Sequence, residues 1–247
     1  MVTRINIGPV HPSTHGVLRL VVDLDGDTIV NVEPNIGFTH RGVEKLVENR
    51  SYMQNLPYME KQDYVASEAY DDAYVAAVES ALGIEVKERA QYIRVILLEL
   101  QRIASHLLWL GTALNDLGQF FTMFMWTFKD RDKILSLLEE QAGARMFYVN
   151  MRPGGLLRDL PKDFEEHTLE VLSYMEKRIK FYEDYLEKND VFIERTKGIG
   201  VLSAQDAIEY GVTGPVLRAS GVNFDIRKNR PYYKYAELGI KPQALTG

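Results

Sequence analysis

Ile93-Arg94-Val95-Ile96-Leu97-Leu98-Glu99-Leu100-Gln101-Arg102-Ile103-Ala104-Ser105-His106-Leu107-Leu108-Trp109-Leu110-Gly111-Thr112-Ala113-Leu114 is the most apolar long stretch of the chain. A membrane span needs about 20 mostly apolar residues, and Glu99, Gln101, Arg102 and His106 make this stretch too polar for one. Ala90, Ile93, Ile96, Leu97, Leu100, Ile103, Leu107, Leu110 and Leu114 instead recur at helical spacing over a wide face. That is the pattern of a central helix in a bundle. The spacing predicts a helix over 87–115, with Gly118 marking its end.

Similar periods flank it. Residues 62–82 carry Tyr64, Val65, Ala69, Tyr70, Ala73, Val75, Val78 and Leu82 near the helical period, and Gly83 closes the run. Residues 119–141 open with Phe120, Phe121, Met123, Phe124, Met125 and Trp126, and Gly143 follows. Pro153-Gly154-Gly155 is a break. In 163–189, Leu172, Met175, Ile179, Tyr182 and Leu186 predict an amphipathic helix laid on the bundle; a partner-facing coiled-coil strip is the alternative. Ser203-Ala204-Gln205-Asp206 has the form of a helix cap and first turn. Beyond it the chain is rich in glycine and loops.

The N-terminus reads differently. Leu18, Leu20 and Val22 alternate with polar residues, Asp25-Gly26 is a hairpin signal, and Ile29, Asn31 and Val32 follow. Ahead of them lies Gly8-Pro9-Val10-His11-Pro12-Ser13-Thr14-His15-Gly16, a loop shaped by proline and glycine. Two histidines four apart would suggest a metal pair on a helix, but in such a loop the rings need not converge. The expected fold is therefore α+β with helix dominant: a small antiparallel sheet carrying the histidine loop over 1–36, then a long-helix bundle over 37–247.

Composition removes several chemistries. The net charge of −6 argues against nucleic acid as a partner. The chain has no cysteine, so it makes no disulfide and binds no iron–sulfur or nickel centre through its own thiolates. No signal peptide is expected, since no charged segment precedes an apolar core at the N-terminus. Nucleotide-loop, G-x-S-x-G and H-E-x-x-H motifs are absent.

What remains is polar residues in unusual places. Tyr64 stands beside Asp63 at the entry to the first long helix. Asp116 falls at the C-terminal end of the central helix, where the helix dipole opposes a carboxylate, so it calls for a partner such as histidine. His106 reads as a bundle histidine and His167 as a surface residue in an acidic turn. Arg41 and Arg152 flank glycines and either bind anions or tie down loops.

Taken together these segments resemble one known family. The histidine loop, Gly37-Phe38-Thr39-His40-Arg41-Gly42-Val43-Glu44-Lys45-Leu46, Leu56-Pro57-Tyr58, Asp63-Tyr64-Val65, Arg89-Ala90-Gln91-Tyr92-Ile93-Arg94-Val95, Ser105-His106-Leu107-Leu108, Gly143-Ala144-Arg145-Met146, Arg152-Pro153-Gly154-Gly155 and Leu217-Arg218-Ala219-Ser220-Gly221 occur in the family's order. The resemblance is to the quinone-binding D subunit of the proton-pumping NADH:quinone oxidoreductases, respiratory complex I, which is built like the large subunit of nickel–iron hydrogenases.

The resemblance implies a quinone site, for ubiquinone or menaquinone, formed with a B-like iron–sulfur subunit. Further implied partners are C-like and membrane-bound H-like subunits. The setting would be peripheral, on the cytoplasmic face of the cell membrane, or on the inner mitochondrial membrane in an organelle. His15 and Tyr64 would hold the quinone head group and donate protons, with Asp116 paired to His15. His11, Arg41 and Lys61 would lie near the quinone or the partner's cluster. The hydrogenases carry C-x-x-C where this chain has Asp63 to Ala66, so nickel chemistry is not expected. Lys61 and Phe147 replace an arginine and a histidine common in the family, which points to a low-potential cluster and a menaquinone-like acceptor. Family chains also continue well past the equivalent of residue 247. Two alternatives stay open: a subunit of a ferredoxin- or F420H2-fed membrane complex, and a non-catalytic structural subunit.

Overall fold

The structure, a computed structural model, describes residues 2–11 and 16–245, apart from the side chains of Phe120 and Phe121. The chain divides into two compact units, 1–51 and 52–247.

The first unit is a three-stranded antiparallel sheet in the order β1 (Val2–Ile7), β2 (Arg19–Asp25), β3 (Thr28–Asn35). The Asp25-Gly26 turn makes the β2–β3 hairpin as its dipeptide predicts. Register sets Val22 opposite both Ile5 and Val32. Val22 is the one described side chain of the sheet that is fully buried; Ile29, Val30 and Val32 are exposed. A short helix, α1 (Val43–Val47), completes this unit, so the division falls later than residue 36.

The second unit is helical: α2 (Tyr52–Met59), α3 (Ser67–Leu82), α4 (Glu88–Leu114) and α5 (Phe120–Ala142), then a small hairpin of β4 (Met151–Arg152) and β5 (Gly155–Leu156), then α6 (Phe164–Glu187). Short helices follow: α7 (Asp190–Thr196), α8 (Ala204–Glu209), α9 (Gly214–Ala219), α10 (Ile226–Asn229) and α11 (Tyr235–Leu238). The boundaries of α4, α5 and α6 match the sequence periods closely. Ser203 caps α8 as expected, its side chain accepting from the Asp206 N–H.

Helix α4 packs along α5. Leu97, Leu100, Ala104 and Leu107 of α4 share one core with Met123, Ile134 and Leu138 of α5 and Phe164, Met175 and Tyr182 of α6. Burying side chains of this size stabilises by roughly 1.5–3 kcal/mol each, which fixes the bundle as a frame. Buried Asp130 ties α6 to α5, accepting from Tyr174 Oη at 2.7 Å and Arg178 Nε at 2.6 Å, and from Tyr182. The C-terminal segment docks on α4: Tyr235 Oη donates to Glu99 Oε1 at 2.6 Å, and Arg227 Nη1 pairs with Glu99 Oε2 at 3.0 Å.

One helix was not read from the sequence and another is changed. Helix α2, with Pro57 inside it, lies ahead of the periods that begin at residue 62. Helix α3 begins at Ser67 rather than at 62, and its inward face keeps Val75 and Val78 of the expected stripe but is rotated toward the acids. Tyr70 and Leu82 are exposed, whereas Glu68, Asp71, Asp72, Val75, Val78 and Glu79 are buried. A face rich in acids reads from sequence as solvated, yet here it meets the rest of the bundle.

Candidate functional site

Tyr64 lies in the turn that leads into α3. Asp63 builds that turn: its Oδ1 accepts from the Val65 N–H at 3.0 Å and its carbonyl from the Ala66 N–H at 3.1 Å. Gln101 of α4 then fastens it, its Nε2 donating to the Val65 carbonyl at 2.7 Å. The backbone around Tyr64 is thereby held to the central helix, while the phenol itself is 56% exposed. A fixed backbone with an exposed hydroxyl suits a residue that meets a ligand.

Lys61 sits just ahead of this turn. Its Nζ pairs with Glu60 Oε1 at 2.9 Å and donates to the Pro57 carbonyl at 3.1 Å. It also lies 4.7 Å from the centre of the Phe147 ring, a cation–π distance. The two positions that depart from the family pattern therefore touch each other. The segment beneath them is strained: Phe147 and Val149 have φ of 61° and 42°. Positive φ is a true outlier for a β-branched residue, and such strain collects at functional sites. Glu60, 1% exposed, holds the strained segment by accepting from the Val149 N–H at 3.1 Å.

Asp116 occupies the corner between α4 and α5, where Asn115–Gln119 form a π-helical turn. It is exposed at this corner rather than sunk in the bundle. Gly118 permits the corner with φ of 88°, and a Cβ there would fall 2.8 Å from Arg195 Nη1. Buried Gln119 anchors it through paired bonds with Asn189, Nε2 to Oδ1 at 3.0 Å and Nδ2 to Oε1 at 2.8 Å.

His11 and Arg41 belong to the first unit, and both are exposed. His11 forms an isolated antiparallel bridge with Gly16. His15 lies outside the described residues. His106, expected inside the bundle, is exposed on α4 beside Arg102 and Arg218. His167 is a surface residue in the first turn of α6, as expected, with Nδ1 3.0 Å from Glu140 Oε2. That carboxylate raises the imidazole pKa.

The sequence reading missed a buried polar layer between α3 and α4. Arg94 of α4 is fully buried. It donates to Glu79 Oε1 at 2.7 Å, to Tyr233 Oη at 2.6 Å, and to the Arg152 and Gly155 carbonyls at 2.8 Å each. Tyr233 Oη in turn donates to Asp72 Oδ1 at 2.8 Å, and Glu79 Oε1 accepts from the Gly154 N–H at 2.8 Å. Arg152, a candidate anion ligand from sequence, thus lends its carbonyl to this layer. Burial pushes Asp72 up to about 6, against the pull of Tyr233 and Arg94. The usable signal was the spacing 68, 71, 72, 75, 79, which puts these acids on one helical face with Val75.

A family model described as "Respiratory-chain NADH dehydrogenase, 49 Kd subunit" matches residues 116–245, more than half of the chain. The D subunit of the NADH-quinone oxidoreductase of Citrifermentans bemidjiense is 49% identical over 237 residues, covering 96% of this chain and 61% of that protein. The D subunit of the same enzyme from Dehalococcoides mccartyi strain 195 is 50% identical over 245 residues, covering 98% of this chain and 66% of that protein. Among solved structures, a chain of the membrane-bound sulfane sulfur reductase, an archaeal respiratory membrane complex, superposes with a TM-score of 0.94 at 33% identity. That match covers 99% of this chain and 65% of the other. The chain spans about three-fifths of the length of the curated relatives it matches.

Proposed function

The chain belongs to the family of the 49 Kd subunit of the respiratory-chain NADH dehydrogenase, and on that basis we propose that it serves as the peripheral-arm subunit forming a quinone-reduction site in a complex I-type oxidoreductase. In this reading Tyr64 and His15 bind the quinone head group, and Asp116 is the carboxylate partner of His15. The electrons come from an iron–sulfur cluster on a B-like subunit, and C-like and H-like subunits complete the surroundings. Quinone reduction takes two electrons and two protons; a phenol and an imidazole both donate once negative charge develops on the carbonyl oxygens. Loss of the His15 proton then changes its attraction to Asp116 and starts the step that couples reduction to ion translocation. His11, Arg41 and Lys61 are proposed near the quinone or the partner's cluster, Lys61 in its contact with Phe147.

The observation that carries this reading is the Tyr64 turn, whose backbone is tied to α4 by Gln101 while its hydroxyl is exposed. No described helix is long and apolar enough to cross a membrane; in the proposed reading the chain sits peripherally on the cytoplasmic face, against the H-like subunit. Quinone turnover of the intact complex tests the assignment. In Tyr64→Phe and His15→Ala it should fall by roughly a hundredfold, the lower range for loss of a positioned proton donor. Near-normal rates in both would overturn it.

The close superposition on a chain of an archaeal sulfane sulfur reductase complex favours a second reading. Here the same frame serves a membrane complex fed by ferredoxin or F420H2, with a different acceptor. Quinone-independent turnover of the purified complex would select it.

A further inference from the structure

The acids of α3 have no part in the reading above, and their surroundings are unusual. Glu68 and Asp71 are each 1% exposed, and Asp72 is 5% exposed. Neither carboxylate oxygen of Glu68 meets a hydrogen-bond donor, and neither does Asp71 Oδ1. On the neighbouring elements Gln101 Oε1 and Asn150 Oδ1 are likewise buried without a partner. An ionised carboxylate in such a place loses its hydration and gains nothing in return, whereas the neutral acid is tolerated.

Charged and titratable groups face this cluster from every side. Glu60 and Lys61 come from the end of α2, Glu79 from α3 itself and Arg94 from α4. Tyr148 and Arg152 come from the segment before β5, and Tyr233 from the C-terminal segment. The acids outnumber the cations near Glu68. Burial, reinforced by Asp71, Asp72 and Glu60, raises Glu68 to about 8. Burial and Glu60 raise Asp71 to about 7, although Arg152 and Lys61 pull it back. Proton affinity therefore falls along the helix from Glu68 to Asp72. A metal is not the ligand this arrangement suits: among the described residues no three His, Asp or Glu side chains are set to hold one.

We propose that Glu68, Asp71 and Asp72 form a proton-holding site inside the bundle, which takes up a proton when negative charge arrives beside the Tyr64 turn and releases it when that charge leaves. The exchange is a simple protonation: an ionised carboxylate oxygen gains a proton from water, and the O–H bond breaks again on release. Near neutral pH Glu68 is filled and Asp72 is empty, so the site has both a proton to give and a place for another. What drives it rests on the proposed quinone reading, in which negative charge develops on a bound quinone next to Tyr64. The existence of the site does not depend on that reading.

Redox-induced infrared difference spectra of the intact complex, in water and in D2O, are the test. A protonated-carboxyl stretching band that shifts in D2O is expected to change between the oxidised and reduced complex. It should be lost or moved in Glu68→Gln and Asp71→Asn, which keep the size and neutrality of the filled acids. Asp71→Asn should also lower turnover roughly tenfold at about pH 8, where proton supply limits. Spectra and pH profiles that superimpose for the wild type and both variants would overturn the site. Should neither variant assemble, the wild type alone decides: with no D2O-sensitive protonated-carboxyl band at about pH 7 there is no site. Near-normal turnover in Tyr64→Phe and His15→Ala would sink the quinone reading and leave the band in place. Loss of the band assignment would sink the proton site and leave the Tyr64 result untouched.

Discussion

Arg94 shows how much one side chain organises. Its guanidinium joins α4 to α3 through Glu79, to the β4–β5 hairpin through two carbonyls, and to the C-terminal segment through Tyr233. Arg94→Met would leave the Glu79 carboxylate buried without its cation. Breaking one side of a buried pair costs about 3–5 kcal/mol. Arg94→Lys should recover only part of that, because an ammonium cannot fork toward two carboxylate oxygens and two carbonyls at once. Denaturant unfolding measures both, and a loss below about 1 kcal/mol for Arg94→Met would show that the layer is not held as described. The sequence carried Arg94 only as one member of the 89–95 motif, with no role of its own, because its partners Glu79 and Tyr233 lie 15 and 139 residues away. The position of Tyr64, at the entry to a helix and beside Asp63, was legible because that context is itself local.

At the scale of elements, α4 and α5 approach closely at Gly111. A Cβ there would fall 2.3 Å from Thr127 Oγ1 and 3.3 Å from the Phe124 Cα. Replacing glycine within a helix ordinarily gains about 1 kcal/mol in helix propensity. Here overpacking, typically ~1–3 kcal/mol, should win. Gly111→Ala is expected to destabilise, and Gly111→Ala/Thr127→Ala to be more stable than the single variant, since it removes the clashing oxygen. A thermal melt of the pair reads this directly; equal stabilities would refute a steric cause. Helix lengths were the most legible feature, because α4, α5 and α6 bury stripes whose period depends only on hydrophobicity. The inward face of α3 was not, since a pattern count scores Glu68, Asp71 and Asp72 as solvent-facing. Of the three, Asp72 receives a hydroxyl from Tyr233 and lies 3.8 Å from Arg94, whereas Glu68 is buried with no hydrogen-bond donor at either oxygen.

For the whole molecule, the same acids set how stability follows pH. Glu68 and Asp71 are raised from 4.5 and 3.8 to about 8 and about 7. Between those limits the native chain binds more protons than the unfolded one, so stability falls as pH rises through that window. Asp225 acts in the other direction: its hydrogen bond from Arg227 lowers it to about 2, and the stability it adds is lost as pH falls toward that value. The unfolding midpoint followed by circular dichroism should therefore drop by on the order of several degrees between about pH 5 and pH 8. Glu68→Gln should flatten that slope, and an unchanged slope would contradict the assignment. Such a global property was out of reach of the sequence, because it depends on which acids tertiary packing removes from water. The sheet of the first unit was foreseen from its alternation and its Asp-Gly turn. Its near lack of a private core, with Val22 alone fully buried among its described strands, was not.

The Arg94–Tyr233–Asp72 chain also imposes an order of events during synthesis. Tyr233 follows Arg94 by 139 residues and Asp72 by 161. At a translation rate of about 5–20 residues per second, it leaves the ribosome roughly 7 to 32 seconds after the helices it completes. Until then Asp72 lacks its hydroxyl donor, and Arg94 has Glu79, Asp72 and the hairpin carbonyls as partners. The contact that joins α3, α4 and the Tyr233 segment is thus set by the last of its members to be made, not by the helices it links.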